Sequence, residues 1–419
     1  MEGPGPHGRT QRSRLPPLEI HPTRLGRVLS VAASTVRCQG VGAAFLETET
    51  TRAVTEPLRL TDLRESSPGL RRAAHGYSTS GTWKRVVFRV AMVAREVLAA
   101  LPRDILRTLR SARQPPRMQD GVHPAPNATR IALYVHYSAT GQVSEMVRYQ
   151  LDQLTRFGFA IVFISMAARI PEDDWNAVRA SCALVVQREN FGRDFGAWHE
   201  LMPEVRRRWP HLDELLLAND SVLGPIHPMA PVMDALRSDG DGLFGLTESL
   251  QGGPHLQSYF LLTRGTAAVC DLMDFLQALY VSHSKWLLVQ TGEIRLARWM
   301  RRRGHRVAAV FGYERLVRAA VADPAELKRL TGSHAKMQDI ESLPTEKASA
   351  LLHEWPLNPT QHLWHVLATK FGDPFVKTEL VLRNPGRLPG VEQWPAVVAA
   401  AAPCPLAVLQ AHLATMNAG

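Results

Sequence analysis

Between residues 130 and 264 the chain alternates short apolar runs with longer amphipathic stretches. Ile131-Ala132-Leu133-Tyr134-Val135, Phe159 to Ser165, Cys182 to Val186 and Leu215 to Ala218 are each bounded by polar residues or glycine. They are too short for core helices, so they read as strands buried on both faces. Between the first two, Val143, Met146, Val147, Leu151 and Leu154 recur at helical spacing, and Gly158 closes that helix. Asp173 to Ala180, and the stretch ending near Arg208, predict two further helices. Repeated strand–helix alternation argues an α/β class, an open and mostly parallel sheet with flanking helices. Leu243 to Leu246 and Tyr259 to Leu262 add two strands. Beyond residue 320 the pattern turns helical, over Ala325 to Leu330, Glu346 to Leu352, Thr360 to Ala368 and Pro403 to Thr415. The expected organisation is a sheet domain over 129–324 and a helical C-terminal region over 325–419.

The N-terminal part reads differently. Residues 1–80 are rich in Arg, Pro, Gly, Ser and Thr, with Arg but no Lys, which predicts a disordered or loose extension. Met92 and Met118 stand as alternative starts of translation. Residues 81–128 read as a basic amphipathic helix and a linker. Trp83, Val86, Val87, Val90, Val93, Val97 and Leu101 fall at helical spacing with Lys84, Arg85, Arg89 and Arg95 mostly opposite. Pro102 is expected to break this helix before a second basic piece, Arg103 to Arg113. Two readings of 82–113 stand side by side: a helix lying on an anionic membrane surface, or one packed on the main domain with its basic face in solvent.

Charge narrows the partners. The net charge is +10, and residues 1–120 hold 20 basic against 10 acidic residues, so the rest of the chain is neutral. A nucleic-acid partner is therefore not expected: the excess lies in the extension, with few aromatics interleaved. Cys38, Cys182, Cys270 and Cys404 are scattered without metal-ligand spacing, which suits a reducing compartment. No apolar run approaches membrane-span length and no signal-peptide core precedes residue 33, so the expected location is cytoplasmic. The first strand leads into His136-Tyr137-Ser138-Ala139-Thr140-Gly141, which is neither a dinucleotide fingerprint nor a phosphate loop.

Candidate chemistry gathers where two strands end. After Cys182 to Val186 come Arg188-Glu189-Asn190-Phe191-Gly192-Arg193-Asp194, and after Leu215 to Ala218 come Asn219-Asp220-Ser221. Carboxyl tips of strands line the ligand crevice of an open parallel sheet. Asp194 and Asp220 are also good helix N-caps, and that reading stays open.

These residues carry a resemblance. RENFGRDFGAWHEL, LLLANDSVLGP, DGLFGLTES and HLQSYFLLTR, followed by Asn358-Pro359-Thr360 and by FGDPFVKTELVLRNP from Phe371 to Pro385, resemble the rhamnan synthesis protein F family. The resemblance spans residues 130 to 415 and implies a GT-A-like glycosyltransferase domain of bacterial surface-polysaccharide synthesis. It implies a nucleotide-diphosphate sugar as donor, dTDP-rhamnose by the family's name, and a lipid-linked or polysaccharide acceptor. The membrane-surface reading of 82–113 would place the protein peripherally at the inner face of the cell membrane.

In that frame Asn190, Asp194, Asn219, Asp220 and Ser221 would bind the donor. Asp220 would be the carboxylate for a divalent cation, Mg2+ or Mn2+; it is a single acid where relatives of the fold often carry two, and a metal-free site built on helix N-termini remains the alternative. Thr291-Gly292-Glu293, followed by a helix and Gly304-His305-Arg306-Val307, is similar to the helix that carries the base in inverting enzymes of this fold. Glu293 is the expected base, against a plain helix-dipole role. Glu248, His255, Gln257 and Ser258 are candidate sugar or acceptor contacts. Lys377, Arg383 and Asn384 are candidates for phosphate or acceptor, and His283 for metal or phosphate. The alternative to an enzyme is a non-catalytic, sugar-nucleotide-binding subunit of a polysaccharide assembly complex.

Overall fold

The structure, a computed structural model, describes residues 58–63, 79–111 and 115–417. The remainder of the expected 1–80 extension lies outside the described residues. The strands, in chain order, are β1 (Thr61–Asp62), β2 (Arg117–Asp120), β3 (Arg130–His136), β4 (Ala160–Ser165), β5 (Leu184–Gln187), β6 (Glu214–Asn219), β7 (Val222–Leu223), β8 (Gly242–Ser249), β9 (His255–Leu256), β10 (Phe260–Arg264), β11 (Arg306–Phe311) and β12 (Val376–Lys377).

The central sheet runs β1-β11-β8-β10-β6-β3-β4-β5-β2, with β9 beside β8, and β12 pairs with β7 apart from it. β5, β4, β3 and β6 are parallel neighbours, as are β8 and β11, whereas β10 runs antiparallel between β6 and β8. The chain steps outward from β3 through β4 to β5, then returns to place β6 on the other side of β3. That reversal opens a crevice at the carboxyl tips of β3 and β6.

Apolar runs make strands here because both faces of the sheet are covered. Ala132, Tyr134, Leu216, Ala218, Phe244 and Leu246 point to one layer. Ile131, Leu133, Leu215, Leu217, Leu243 and Val307 point to the other, under the helices Arg193–Arg208, Thr266–Gln277 and Ile294–Arg302. The C-terminal region is helical as expected, with helices Pro324–Leu330, Thr345–Glu354, Pro359–His362, Trp364–Phe371, Thr378–Arg383 and Leu406–Asn417.

Two expectations are modified. Residues 58–63, placed in the loose extension, include the edge strand β1, whose Thr61 and Asp62 pair with Ala309 and Ala308 while Leu63 is fully buried. Pro102 does not end the helix, which runs unbroken over Thr79–Ser111. A proline removes one helical hydrogen bond at a cost of about 3 kcal/mol, and tethers on either side of it oppose that cost. Glu96 accepts from the Ser284 hydroxyl at 2.9 Å, and buried Asp104 accepts from Tyr280 Oη at 2.9 Å and from the His283 amide at 2.9 Å.

At the amino end of β6 the buried Glu214 carboxylate faces Arg237 at 2.6 Å, Arg264 at 3.3 Å and Arg130 at 3.7 Å. Removing the carboxylate leaves those guanidinium groups uncompensated, so Glu214→Ala should lose about 3–5 kcal/mol of stability. Urea unfolding measures it; a loss under about 0.5 kcal/mol would mark the cluster as an ordinary surface one.

Candidate active site

The crevice at the strand tips holds a cavity of about 550 Å³. Its walls come from the start of the helix Arg193–Arg208, the tip of β6, the segment Ser249 to Tyr259, the helical run from Lys285 to Glu293, and Asn358 to Glu379 of the C-terminal region. Of the residues singled out from the sequence, Asp194, Asn219, Ser221, His255, Gln257, Ser258, Glu293, Lys377 and Arg383 line it.

Strand geometry decides which tip residues reach the cavity. Alternation along β6 sends Leu215, Leu217 and then Asn219 toward the layer holding the helix Arg193–Arg208. Asn219 Nδ2 donates to Asp194 Oδ2 at 2.9 Å. Ser221 Oγ donates to Asn219 Oδ1, and Lys377 Nζ donates to Ser221 Oγ at 2.8 Å. Lys377 reaches this point because β12 pairs antiparallel with β7, setting Lys377 opposite Val222. Its ammonium also stands 5.4 Å from the centre of the Tyr259 ring.

Glu293 enters from the other side. It does not open a helix: it ends a π-helical turn, Val289–Glu293, within a continuous helical run that begins at Lys285. The helix-dipole reading of Glu293 therefore lapses, since no free helix end lies beside it. Glu293 Oε1 accepts from the Ser258 amide at 2.7 Å, and its other oxygen takes no hydrogen bond among the described residues. Gly292 eases this approach, because a Cβ there would stand 3.1 Å from the Phe195 ring, closer than ordinary contact.

Five candidates fall outside the cavity walls. Asn190 is exposed on the loop before the helix Arg193–Arg208. Glu248 is fully buried, and its Oε2 accepts from the Tyr313 amide at 3.0 Å. Asp220 turns to the opposite layer from Asn219, where its Oδ2 accepts from the Tyr137 amide at 2.7 Å across the β3–β6 reversal. His283 and Asn384 also serve the fold: His283 Nδ1 lies 3.0 Å from Asp104 Oδ1, and Asn384 bridges to Leu388 through Nδ2 at 2.8 Å. Residues not singled out from the sequence also line the cavity, above all Arg193, Lys285 and Glu379. Arg193 sits at φ 52° directly after Gly192 at φ 73°, a pair of left-handed residues that aims the start of its helix into the cavity.

Burial pushes the Asp194 carboxyl up to about 6, with Lys377 and Arg193 pulling it down and Glu293 adding to the rise. Burial also pushes Asp220 up to about 8 against the Tyr137 amide bond. The Lys377 ammonium is lowered by burial, while Glu293 and Asp194 oppose that. Among the described residues no three His, Cys, Asp or Glu side chains gather as a metal cage. The donor set does not suit a resident dication: Asp220 is turned to Tyr137, and Asp194 and Glu293 share the cavity with the charge of Lys377.

Gln257 joins the sheet to the C-terminal region. Its Oε1 accepts from Thr247 Oγ1 at 2.8 Å, and its Nε2 donates to Asn358 Oδ1 and Thr360 Oγ1 at 3.1 Å each. Nearby, Asp373 is buried beneath Tyr259, and burial pushes its carboxyl up to about 8 although Oδ1 accepts from the Phe375 amide. A carboxyl whose folded pKa is raised binds more protons folded than unfolded, so its stabilising effect is full below about pH 4 and lost as pH rises through 8. Asp194 and Asp220 act in the same direction. Urea midpoints should therefore fall from about pH 4 to about pH 8, and Asp373→Asn should flatten that fall. A midpoint that rises across this range, or an unchanged slope in the variant, would count against a protonated Asp373.

Comparison with known proteins places these motifs. The protein y4gN of Sinorhizobium fredii, itself uncharacterized, is 27% identical over 200 residues, covering 46% of this chain and 51% of that protein. Virulence protein VirA of Vibrio anguillarum is 27% identical over 218 residues, 50% of this chain and 66% of VirA. The matched stretches thus span between half and two thirds of these relatives. The mannosyltransferase PcManGT of Pyrobaculum calidifontis, solved in complex with GDP-Man and Mn2+, aligns over 78% of this chain and 90% of its own at 16% identity and a TM-score of 0.28. The model of the rhamnan synthesis protein F family matches residues 161–324, the stretch that carries Asp194, Asn219, Ser221, Ser258 and Glu293. Rhamnan synthesis protein F is thus the family that this chain resembles, over the part that builds most of the cavity.

Proposed function

We propose that this chain is a glycosyltransferase that moves a sugar from a nucleotide-diphosphate donor onto a glycan or lipid-linked acceptor, inverting the anomeric carbon. The observation that carries the reading is the Glu293 carboxylate, held by one oxygen on the Ser258 amide in a cavity that also gathers Arg193, Lys285, Lys377 and Arg383. A carboxylate positioned this way suits a general base, and the basic side chains suit a diphosphate. In the reaction the acceptor oxygen bonds to C1 of the sugar, its proton passes to Glu293, and the C1–O bond breaks with its electron pair leaving on the diphosphate. The family match supports the same class, and rhamnose is the sugar its name supplies.

The competing reading, a non-catalytic sugar-nucleotide-binding subunit, is favoured by one detail: a carboxylate bonded to a backbone amide also serves to hold a loop. Thermal-shift binding against dTDP-rhamnose, UDP-sugars and GDP-mannose identifies the donor; at about 100 times its dissociation constant it adds about 2.7 kcal/mol. Glu293→Gln should then keep donor binding and lose about 100- to 10,000-fold in turnover. Unchanged turnover in this variant, or donor binding without turnover in the unmodified chain, would favour the subunit reading.

We also infer peripheral attachment through the helix Thr79–Ser111. No helix among the described residues is long and apolar enough to cross a membrane. This helix instead leaves Leu98, Ile105, Leu106 and Leu109 more than half exposed, beside Arg103. That combination suits an anionic bilayer surface. The chain should sediment with phosphatidylglycerol vesicles and not with phosphatidylcholine ones, and Leu106→Asp with Leu109→Asp should abolish it. Equal sedimentation with both vesicle types would overturn the inference.

A further inference from the structure

We propose that the ammonium of Lys377 takes the place of a divalent cation at the donor diphosphate, so that this site binds diphosphates without metal. The proposal rests on the donor being a diphosphate, as argued above, and adds how that group is held.

Lys377 stands where a cation would be needed. β12 lays it against β7, directly after Asn219-Asp220-Ser221, at the tip of β6 and on the wall of the cavity. Among the described residues its Nζ makes one hydrogen bond, to Ser221 Oγ at 2.8 Å, and no ion pair within bonding distance. An ammonium has three N–H donors, so the others remain for a ligand. The relay through Ser221 and Asn219 to Asp194 fixes the position of Nζ, and the flanking Tyr259 ring lies 5.4 Å away. Burial lowers the pKa of Lys377, and the nearby carboxylates of Glu293 and Asp194 oppose that shift. Asp220, off the cavity wall, has its Oδ2 taken by the Tyr137 amide. Arg193, Lys285 and Arg383 ring the same cavity, placing positive charge around the diphosphate rather than a cage of carboxylates.

The test uses the full chain and inorganic pyrophosphate, with calorimetric titration as readout. The unmodified chain should bind pyrophosphate in excess EDTA, and added Mg2+ or Mn2+ should tighten it by less than about threefold. Lys377→Met, which keeps the stem and removes the charge, should weaken binding in EDTA by about 10- to 100-fold, the range of charge-assisted hydrogen bonds. Lys377→Arg should restore most of it. Should Lys377→Met fail to fold, the EDTA titration of the unmodified chain and the arginine variant still decide the matter. Pyrophosphate binding that appears only with Mg2+ or Mn2+ would overturn the proposal and leave a metal-assisted transferase standing. No binding under either condition, or equal binding by Lys377→Met, would overturn it too, while the nucleotide-sugar panel judges the transferase reading separately.

Discussion

A relay of hydrogen bonds from Asp194 through Asn219 and Ser221 to Lys377 holds the crevice together. Its members come from the start of one helix, the tip of β6, the turn that follows it, and a short strand more than 150 residues downstream in sequence. In the low effective dielectric of a partly enclosed cavity such bonds polarise one another, and losing one leaves its neighbours under-satisfied. The relay therefore ties the C-terminal region to the sheet at the point where ligand would bind. Gln257 makes a second tie nearby, reaching Asn358 and Thr360 from the segment beside β8.

The charges follow from that anchoring. Asp194 shares one cavity with Glu293 and Lys377, and its ionisation depends on both charges. Burial pushes the Asp194 carboxyl up and lowers the pKa of Lys377, and the opposite charges at short range oppose both shifts. The result is a cavity with a carboxylate free on one oxygen and an ammonium with open donors. The proposed base and the proposed anion site thus sit side by side on the walls of one cavity. The sheet supplies the rigidity for this, since β6 is pinned at its other end by the Glu214 cluster and buried on both faces between.

The helix Thr79–Ser111 is a separate feature with its own logic. It is docked by polar ties, Asp104 to Tyr280 and His283, and Glu96 to Ser284, rather than by burying its full apolar stripe. Those ties end at the segment leading into Lys285, on the cavity wall, so the helix and the cavity share a support.

Much of this was legible along the chain. Apolar runs named the parallel strands because burial on both faces leaves no room for polar alternation, and the polar clusters after β5 and β6 marked the crevice. Glu293, Gln257 and Ser258, singled out from local motifs, all line the cavity. What the chain could not reveal was direction. Asn219 and Asp220 are neighbours in sequence, but successive residues at a strand end face opposite layers, so only Asn219 meets Asp194 while Asp220 meets Tyr137. The same parity turns Glu248 away from the cavity, toward Tyr313. Pro102 misled because tertiary ties outweighed a local helix-breaking cost. Lys377 was visible as a basic residue in a motif, yet its place beside Ser221 depends on the pairing of β12 with β7, a contact between distant segments that no local pattern encodes.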